Sequence, residues 1–431
     1  MADPRPFESG ELPCLPLALD PTQPEDLKLL SDALTEKYSK AEAVALKVNP
    51  TVRLGGTRAR VYRVRAKLAE GEAHTTFCYA KIAPEEDLVP EFNAWQSLVD
   101  QKLANAPRAT FSEKSVTIKS PGQTVSEKYR CLCFDEAGEL DDGAQPVPLH
   151  ETINDTSEVN IPKIIGSIYD SMKRWEQSGK LGVIQWSSHY DLAPPGGKTG
   201  YLRWGRTKTK AKEWLGENAM AEQKILFHGR ELWSPLYAVQ QIERSKLSAQ
   251  VKIRPVHGDL HPNNIIIEKV GQESKPWIID FGWTRRFHAL VDYSLLEASL
   301  KIFNYSRFFS EERYLVLHDL LALFDKTEDA PARKKAKNNA KLSNQETIVF
   351  DILQSIRQRA KAETQDWPHE YYLSSLLVSI GQLPLWRSAM PRATLLTGAW
   401  FATNLMEAGK IPSAKGLPSK GRPAKRHPGS R

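Results

Sequence analysis

Two short stretches of the chain decide its fold class: VHGDLHPNNIII at residues 256–267 and WIIDFG at residues 277–282. In the first stretch, Asn264 follows Asp259 by five residues, and a run of isoleucines comes directly after it. In the second stretch, Asp280 stands at the end of an apolar run typical of a buried strand. One tight loop can thus supply a group that orients a nucleophile and an oxygen for a metal ion, and Asp280 can supply a second oxygen.

Each stretch alone is a weak signal, because His-Gly-Asp can be a simple turn and Asp-Phe-Gly occurs by chance. Together, each beside an isoleucine-rich strand, they match the spacings H-x-D-x-x-x-x-N and D-F-G and resemble the protein-kinase-like superfamily. This resemblance implies that Asp259 is the catalytic base, that Asn264 and Asp280 are Mg²⁺ ligands, and that His257 braces the loop. A buried structural histidine at 257 is compatible with that role.

A cation for the phosphates is expected in the preceding strands. Lys81 stands late in the mostly apolar strand Phe77–Ile82, where a lysine is costly to bury unless it is paired or bound to phosphate. It resembles the kinase lysine that contacts the α- and β-phosphates of ATP, and Glu91 is the partner we predict on the next helix. Glu85 and Glu86 compete for that role, and an acidic residue is favoured in the first turn of a helix in any case.

A glycine turn precedes this strand. Gly55, Gly56 and Thr57 are expected to lie over the phosphates, since glycine lets backbone N–H groups approach closely. A plain hairpin turn would give the same pattern.

Several departures separate the chain from Ser/Thr protein kinases. Gly258 replaces the arginine of H-R-D, and His261 replaces the usual lysine. Too few residues follow Asp280 to form an activation segment. The pattern His-Gly-Asp-Leu-His-Pro-x-Asn, together with Arg60–Val64, resembles the aminoglycoside phosphotransferase and choline kinase branch. His261 has two readings, a contact with the transferring phosphate or a turn contact.

A further resemblance lies downstream. The segments His288–Glu297, Ser355–Ala360 and Glu370-Tyr-Tyr look like the kinase-like ternary complex associated domain proteins of bacterial conflict and signalling operons. The resemblance covers roughly residues 50–408 and implies that proteins encoded in the same operon are candidate partners. Asp292 would then be a helix cap or a brace for the catalytic loop.

The implied fold class is α+β: a bilobal, protein-kinase-like fold of the aminoglycoside phosphotransferase type. It has a small antiparallel-sheet N-lobe plus one helix, and a large helical C-lobe. We expect a lead-in and helix at 1–45, a nucleotide-binding lobe at 46–150, a helical lobe at 151–408 with an insertion at 181–250, and a disordered basic tail at 409–431.

Hydrophobic periodicity gives the expected elements. Helices are predicted at 27–44, 90–103 (with Pro90 as the first helical residue), 161–178, 292–309, 311–325, 344–364, 370–382 and 392–407. Strands are predicted within 52–64 on both sides of the glycine turn, at 75–82, and as two strands within 114–134 around the turn at Ser120-Pro121-Gly122. The basic run Arg333–Lys337 is expected to be a solvated loop. The insertion is expected to be helical, with its tryptophans packed on the lobe and one wall facing the acceptor.

Composition excludes several classes of protein. The net charge of +7 comes from the segment after Gly409, because the remaining basic and acidic residues balance, so a folded nucleic-acid-binding face is not expected. Cys131 and Cys133 lack redox or zinc spacing and are expected to be buried thiols. With no apolar run long enough for a membrane span and no secretory signal, we expect a cytoplasmic protein.

The predicted function is ATP- and Mg²⁺-dependent transfer of the γ-phosphate to a hydroxyl of an unidentified small-molecule acceptor. The alternative is a kinase-shaped module that binds nucleotide or partners with little or no turnover. A third class, nucleic-acid binding, rests only on the basic tail and the aromatic and basic residues of 181–250.

Overall fold

The computed structural model describes most of the chain from residue 24 to residue 412. The described ranges are 24–37, 60–67, 75–100, 102–103, 106–118, 126–135, 147–153, 160–194, 199–270, 273–385 and 391–412. Gly55, Gly56 and Thr57 lie outside these ranges, as do residues 38–44 of the first predicted helix and most of the predicted tail.

A five-stranded antiparallel sheet forms the first folded unit, in the order β1-β2-β5-β3 with β4 also paired to β5. Helix α1 precedes the sheet and packs on β5. The elements are α1 (Pro24–Lys37), β1 (Arg60–Lys67), β2 (Thr75–Pro84), β3 (Ala109–Phe111), β4 (Val116–Ile118) and β5 (Glu127–Asp135). Lys81 is paired with Val61 on one side and Leu132 on the other, so it lies in the middle of the sheet.

Helix α2 (Glu85–Ala94) follows β2 directly, and a π-helical turn at Trp95–Val99 continues it. The prediction that this helix begins at Pro90 was wrong, because Pro90 lies inside it. The start is set instead by three acidic residues in the first turn, which interact favourably with the exposed N–H groups of a helix N-terminus. The register buries Leu88 and Glu91 against the sheet.

Two further sheets form the centre of the molecule. Their order is β13-β10-β7 and β12-β11-β6. The strands are β6 (Val147–Pro148), β7 (Lys180–Gln185), β10 (Ser248–Val256), β11 (Ile265–Val270), β12 (Glu273–Ile278) and β13 (Arg285–His288). In the β11–β12 hairpin, Ile265 pairs with Ile278, and Ile279 donates its N–H to the Asn264 carbonyl at 3.0 Å. This register brings the two sequence motifs side by side.

The segment 181–250 differs from its prediction. It contains α6 (Trp186–Asp191), α7 (Trp204–Leu215) and α8 (Pro235–Ser245), but also the hairpin β8 (Lys224–Phe227) and β9 (Arg230–Trp233). An all-helical insertion was therefore wrong, because β7 pairs with β10 and belongs to a central sheet. Trp186 and Trp204 are buried as expected, whereas Trp214 is 48% exposed.

The rest of the chain is helical. The helices are α3 (Leu149–Thr152), α4 (Ile161–Ser171), α5 (Lys173–Gln177), α9 (Val291–Ser299), α10 (Glu311–Lys326), α11 (Ala330–Ala340), α12 (Asn344–Lys361), α13 (His369–Ile380) and α14 (Pro391–Glu407). The predicted loop at Arg333–Lys337 was wrong, since these residues lie in α11. That helix buries no side chain fully, and its alanines, lysines and arginines are good helix formers without an apolar face.

The α+β class predicted from the sequence, a small antiparallel sheet plus one helix before a large helical part, is confirmed. Described helices are all too short or too polar to cross a membrane. Cys78, Cys131 and Cys133 are buried free thiols, as expected. Folded structure continues past the expected start of the tail, because Ile411 is buried and Lys410 pairs with Asp366 at 3.0 Å.

Candidate active site

The loop after β10 holds a glycine that no other residue could replace without a shift. Gly258 has φ +81°, in the left-handed region that favours glycine. A Cβ there would lie 2.4 Å from the Trp283 carbonyl oxygen and 2.8 Å from the Tyr201 hydroxyl. The departure from H-R-D at this position therefore follows from close packing of the loop on the chain after β12.

Asp292 braces this loop. Its two carboxylate oxygens accept hydrogen bonds from the backbone N–H groups of His257 (2.9 Å) and Gly258 (2.8 Å). Asp292 is fully buried, and Leu290 is the N-cap of α9, so Asp292 is not the helix cap. Of the two roles considered for it, the contacts are those of a brace.

His257 joins the two motifs. Its ring Nε2 lies 2.9 Å from the Ile279 carbonyl oxygen, and its Nδ1 accepts the Asp259 N–H at 3.3 Å. Because a carbonyl can only accept, these partners assign the tautomer with hydrogen on Nε2. The fully buried ring thereby fixes the distance between the loop and the strand end before Asp280.

Asp259 and Asn264 face each other across the loop. Asn264 Nδ2 donates to the Asp259 carbonyl at 2.8 Å and lies 3.4 Å from its Oδ2. The Asp259 side chain is 38% exposed, so its carboxylate is open to a ligand. Asn264 Oδ1 is buried and has no hydrogen-bond partner among the described residues. A buried oxygen left in this state is available to a metal ion.

Lys81 is held by two carboxylates. Its Nζ lies 2.7 Å from Glu91 Oε2 and 3.1 Å from Asp280 Oδ1. Burial alone would lower the pKa of Lys81, but the charges of Asp280 and Glu91 outweigh it and raise that pKa. Lys81 in turn lowers the pKa of Asp280 against the effect of burial. Glu91 is more deeply buried than Lys81. Burial, together with the neighbouring charge of Asp280, raises the pKa of Glu91.

Of the two competing acidic residues, Glu86 is exposed and Glu85 is paired elsewhere. Glu85 pairs with Lys128 at 2.8 Å and with Arg130 at 3.0 Å on the sheet.

Asp280 has φ +63°, so its backbone is strained in a way that turns the chain at the end of β12. His261 makes the turn contact that was one of its two readings: its Nδ1 accepts the Asn263 N–H at 3.2 Å. Its Nε2 also lies 3.7 Å from Asp259 Oδ2.

Three residues beside the loop were not singled out from the sequence. Tyr201 is buried against Trp283, and the Arg203 guanidinium lies over the Trp283 ring at 5.7 Å from its centroid. The available signal was that Arg203 opens the basic run of the 181–250 segment.

Among the described residues, no cluster of three or more His, Cys, Asp or Glu side chains is arranged for a metal ion.

The fold is similar to solved kinase structures at low identity. A microcompartment-associated aminopropanol kinase is 11% identical, with 90% of this chain and 99% of that chain covered and a TM-score of 0.42. An amicoumacin kinase in complex with AMP-PNP, Ca²⁺ and amicoumacin is 12% identical, covering 90% and 96%, with a TM-score of 0.40. An aminoglycoside-3'-phosphotransferase of type VIII is 15% identical, covering 76% and 98%, with a TM-score of 0.32.

No curated protein matches the chain. A family model does match: residues 196–382 fit the one described as Ternary complex associated domain 9. The match contains the loop at 256–267, Asp280 and the three downstream segments from which the resemblance was predicted. For residues 196–382, the predicted similarity to ternary complex associated domain proteins is therefore confirmed.

Proposed function

We propose that the protein is an ATP- and Mg²⁺-dependent phosphotransferase that moves the γ-phosphate of ATP to a hydroxyl of a small-molecule acceptor. The observation that carries this proposal is the Lys81–Glu91–Asp280 cluster beside Asn264 and Asp259. It combines a cation, two side chains with candidate metal-binding oxygens and an exposed carboxylate, which are the parts that phosphoryl transfer needs.

The residues present fit a Mg²⁺ ion. Asn264 Oδ1 is a buried oxygen without a partner in the described part of the chain, and Asp280 has a lowered pKa and stays ionised. Mg²⁺ takes few protein ligands and completes its shell with phosphates and water, so two oxygens are sufficient. When bound, it would neutralise charge that develops on the phosphates.

The chain's own residues have separate tasks. Lys81, kept protonated by Asp280 and Glu91, would contact the phosphates. Asp259 would accept a hydrogen bond from the acceptor hydroxyl, orient its oxygen towards the γ-phosphate and take its proton. His257 and Asp292 hold the Asp259 loop rigid through the three backbone contacts described above. Gly55, Gly56 and Thr57 would cover the phosphates from the other side.

We also propose the domain division expected from the sequence, with nucleotide bound mainly by 46–150 and the acceptor by 151–408. The extension of ordered chain through Ile411 moves the start of the basic tail a few residues later. Proteins from the same operon remain proposed partners.

The experiment that tests the function is Asp259→Asn. Slow ATP hydrolysis, autophosphorylation and ADP release with candidate acceptors should fall by roughly 10²–10⁴-fold, while Mg²⁺-dependent ATP binding is retained. Asp170→Asn is the matched control, since that carboxylate is 60% exposed and pairs with Arg359 on the surface. If Asp259→Asn equals wild type in every turnover assay while ATP still binds, the protein is a nucleotide-binding module instead.

A further inference from the structure

Arg203 stands at the edge of the candidate active site without a carboxylate partner. Its NH1 donates to the backbone carbonyls of Tyr201 (3.3 Å) and Gly381 (3.1 Å), and no described residue pairs with its Nε or NH2. Arg203 is half-buried, and a half-buried guanidinium gains from an anionic partner because removing an unpaired charge from water is costly. Arg203 therefore has donors left over for a ligand.

The position of Arg203 is set by strained backbone. It has φ +48°, which is uncommon for a residue with a side chain. This conformation starts α7 and directs the guanidinium over Trp283, whose carbonyl oxygen packs on Gly258, the neighbour of Asp259. The hydrogen bond from NH1 to the Gly381 carbonyl, at the end of α13, gives one of the three guanidinium nitrogens a partner. The other two, Nε and NH2, have no partner among the described residues.

The surroundings of Arg203 carry charges of both signs. Arg206, three residues further along α7, is exposed and makes no ion pair with the described residues. The pKa of Arg203 is lowered: burial lowers it most, the charge of Asp259 raises it, and the charge of Arg206 lowers it. Asp191, the last residue of α6, accepts the N–H of Trp204, the first residue of α7, at 2.8 Å, so one of its oxygens is occupied.

We propose that the acceptor is an anion: a hydroxyl compound whose carboxylate or phosphate group is held by Arg203, with Arg206 adding to the attraction. This inference rests on the proposed function, because it assumes that Asp259 receives the hydroxyl of the same molecule. A planar guanidinium with two free donors suits a carboxylate or a phosphate. The positive charges of Arg203 and Arg206 would repel a cationic amino alcohol or aminoglycoside.

The test uses the full chain saturated with AMP-PNP and Mg²⁺, so that the phosphate site is already filled. Four compounds with the same three-carbon skeleton are compared by calorimetry: serinol (cationic), glycerol (neutral), glycerate and glycerol 1-phosphate (anionic). We expect one or both anions to bind more tightly than glycerol, and serinol not to bind. The two anionic arms distinguish a carboxylate from a phosphate.

Substitutions of Arg203 and Arg206 test whether the anion binds at these two residues. Arg203→Gln should weaken anion binding on the order of tenfold or more, as expected for a charge-assisted hydrogen bond. Arg206→Gln should weaken it by a few-fold at most, and less at high salt, since Arg206 is exposed. Lys212→Gln is the matched control: it removes the same charge from the far end of α7, where Lys212 pairs with Glu217. Arg203→Lys keeps the charge and should restore part of the affinity.

Two results would overturn the proposal: anions that bind no better than glycerol, or anion binding that is unchanged in both Arg203→Gln and Arg206→Gln. If Arg203→Gln does not fold, Arg203→Lys and Arg206→Gln decide. The proposed function fails separately, through absence of Mg²⁺-dependent AMP-PNP binding or an inert Asp259→Asn. Binding of the anions is measured without turnover, so the two failures cannot be confused.

Discussion

Lys81 on β2 and Glu91 on α2 form an ion pair of 2.7 Å, and the same lysine reaches Asp280 on the other side of the site at 3.1 Å. One ammonium group therefore joins the first sheet, its helix and the end of β12. The lysine is 15% exposed and Glu91 only 4%, so solvent weakens this pair little.

Lys81→Ala should weaken ATP binding by about 10–100-fold, because it removes a charged contact worth about 1.5–3 kcal/mol. Glu91→Gln should have the same direction and a smaller effect, since Lys81 still has Asp280. Glu85→Gln is the control on the same helix, and we expect wild-type affinity because Glu85 pairs with Lys128 and Arg130. Calorimetric titration with AMP-PNP gives the comparison. A defect in Glu85→Gln with a silent Glu91→Gln would reverse the assignment.

Gly258→Ala should destabilise the protein and impair turnover. Its Cβ would meet the Trp283 carbonyl at 2.4 Å in a conformation that alanine rarely adopts, with an expected cost of about 1–3 kcal/mol. Gly205→Ala is the matched control: it lies in α7 with nothing within 4 Å of the added methyl, and helix interiors favour alanine by about 0.5–1 kcal/mol. Denaturant unfolding of both variants measures the difference. A neutral Gly258→Ala would show that the loop relaxes easily.

The juxtaposition of Asp259, Asn264 and Asp280 could be predicted from the sequence because its geometry is local. Asp259 and Asn264 share one turn, and the β11–β12 hairpin fixes Asp280 beside them. The Arg203 contact could not be predicted in this way, because it joins residues 178 positions apart in the chain. The start of α2 was missed for a different, local reason: three acidic residues in its first turn outweighed the helix-starting preference of Pro90.

A second charged cluster, deep in the helical part, was also hidden from the sequence. Arg357 is fully buried and contacts Glu297 at 2.7 and 2.9 Å and Asp325 at 2.6 Å. Arg357→Met should destabilise the protein by about 3–5 kcal/mol, because it leaves two buried carboxylates short of a partner. Arg359→Met, on the same helix, breaks a surface pair with Asp170 and should cost at most about 1 kcal/mol. Similar unfolding midpoints for the two variants would contradict this prediction.

His189 should make stability depend on pH. Burial, with the positive charges of His288 and Arg285, lowers its pKa from 6.5 to about 4. The unfolded chain therefore binds the proton more readily, and the wild type loses stability as pH falls from about 6.5 to 4. His189→Phe keeps the ring stacked on Phe287 and cannot be protonated. We expect its melting temperature to fall less than that of wild type over this window, with a constant difference between the two at pH 7–8.

The variant Asp280→Asn distinguishes Mg²⁺ binding from nucleotide binding. In the wild type, ATP at about 100 times its dissociation constant should add about 2.7 kcal/mol of stability, and EDTA should remove part of this. The variant keeps the Lys81–Glu91 pair, so metal-free ATP binding should persist, but a neutral amide is a weaker Mg²⁺ ligand than a carboxylate. The extra thermal shift that Mg²⁺ adds to that of ATP should therefore be smaller in the variant than in the wild type. Asp170→Asn should retain the wild-type Mg²⁺ increment. An undiminished increment in Asp280→Asn would exclude Asp280 as a metal ligand and leave it only the role of a partner for Lys81.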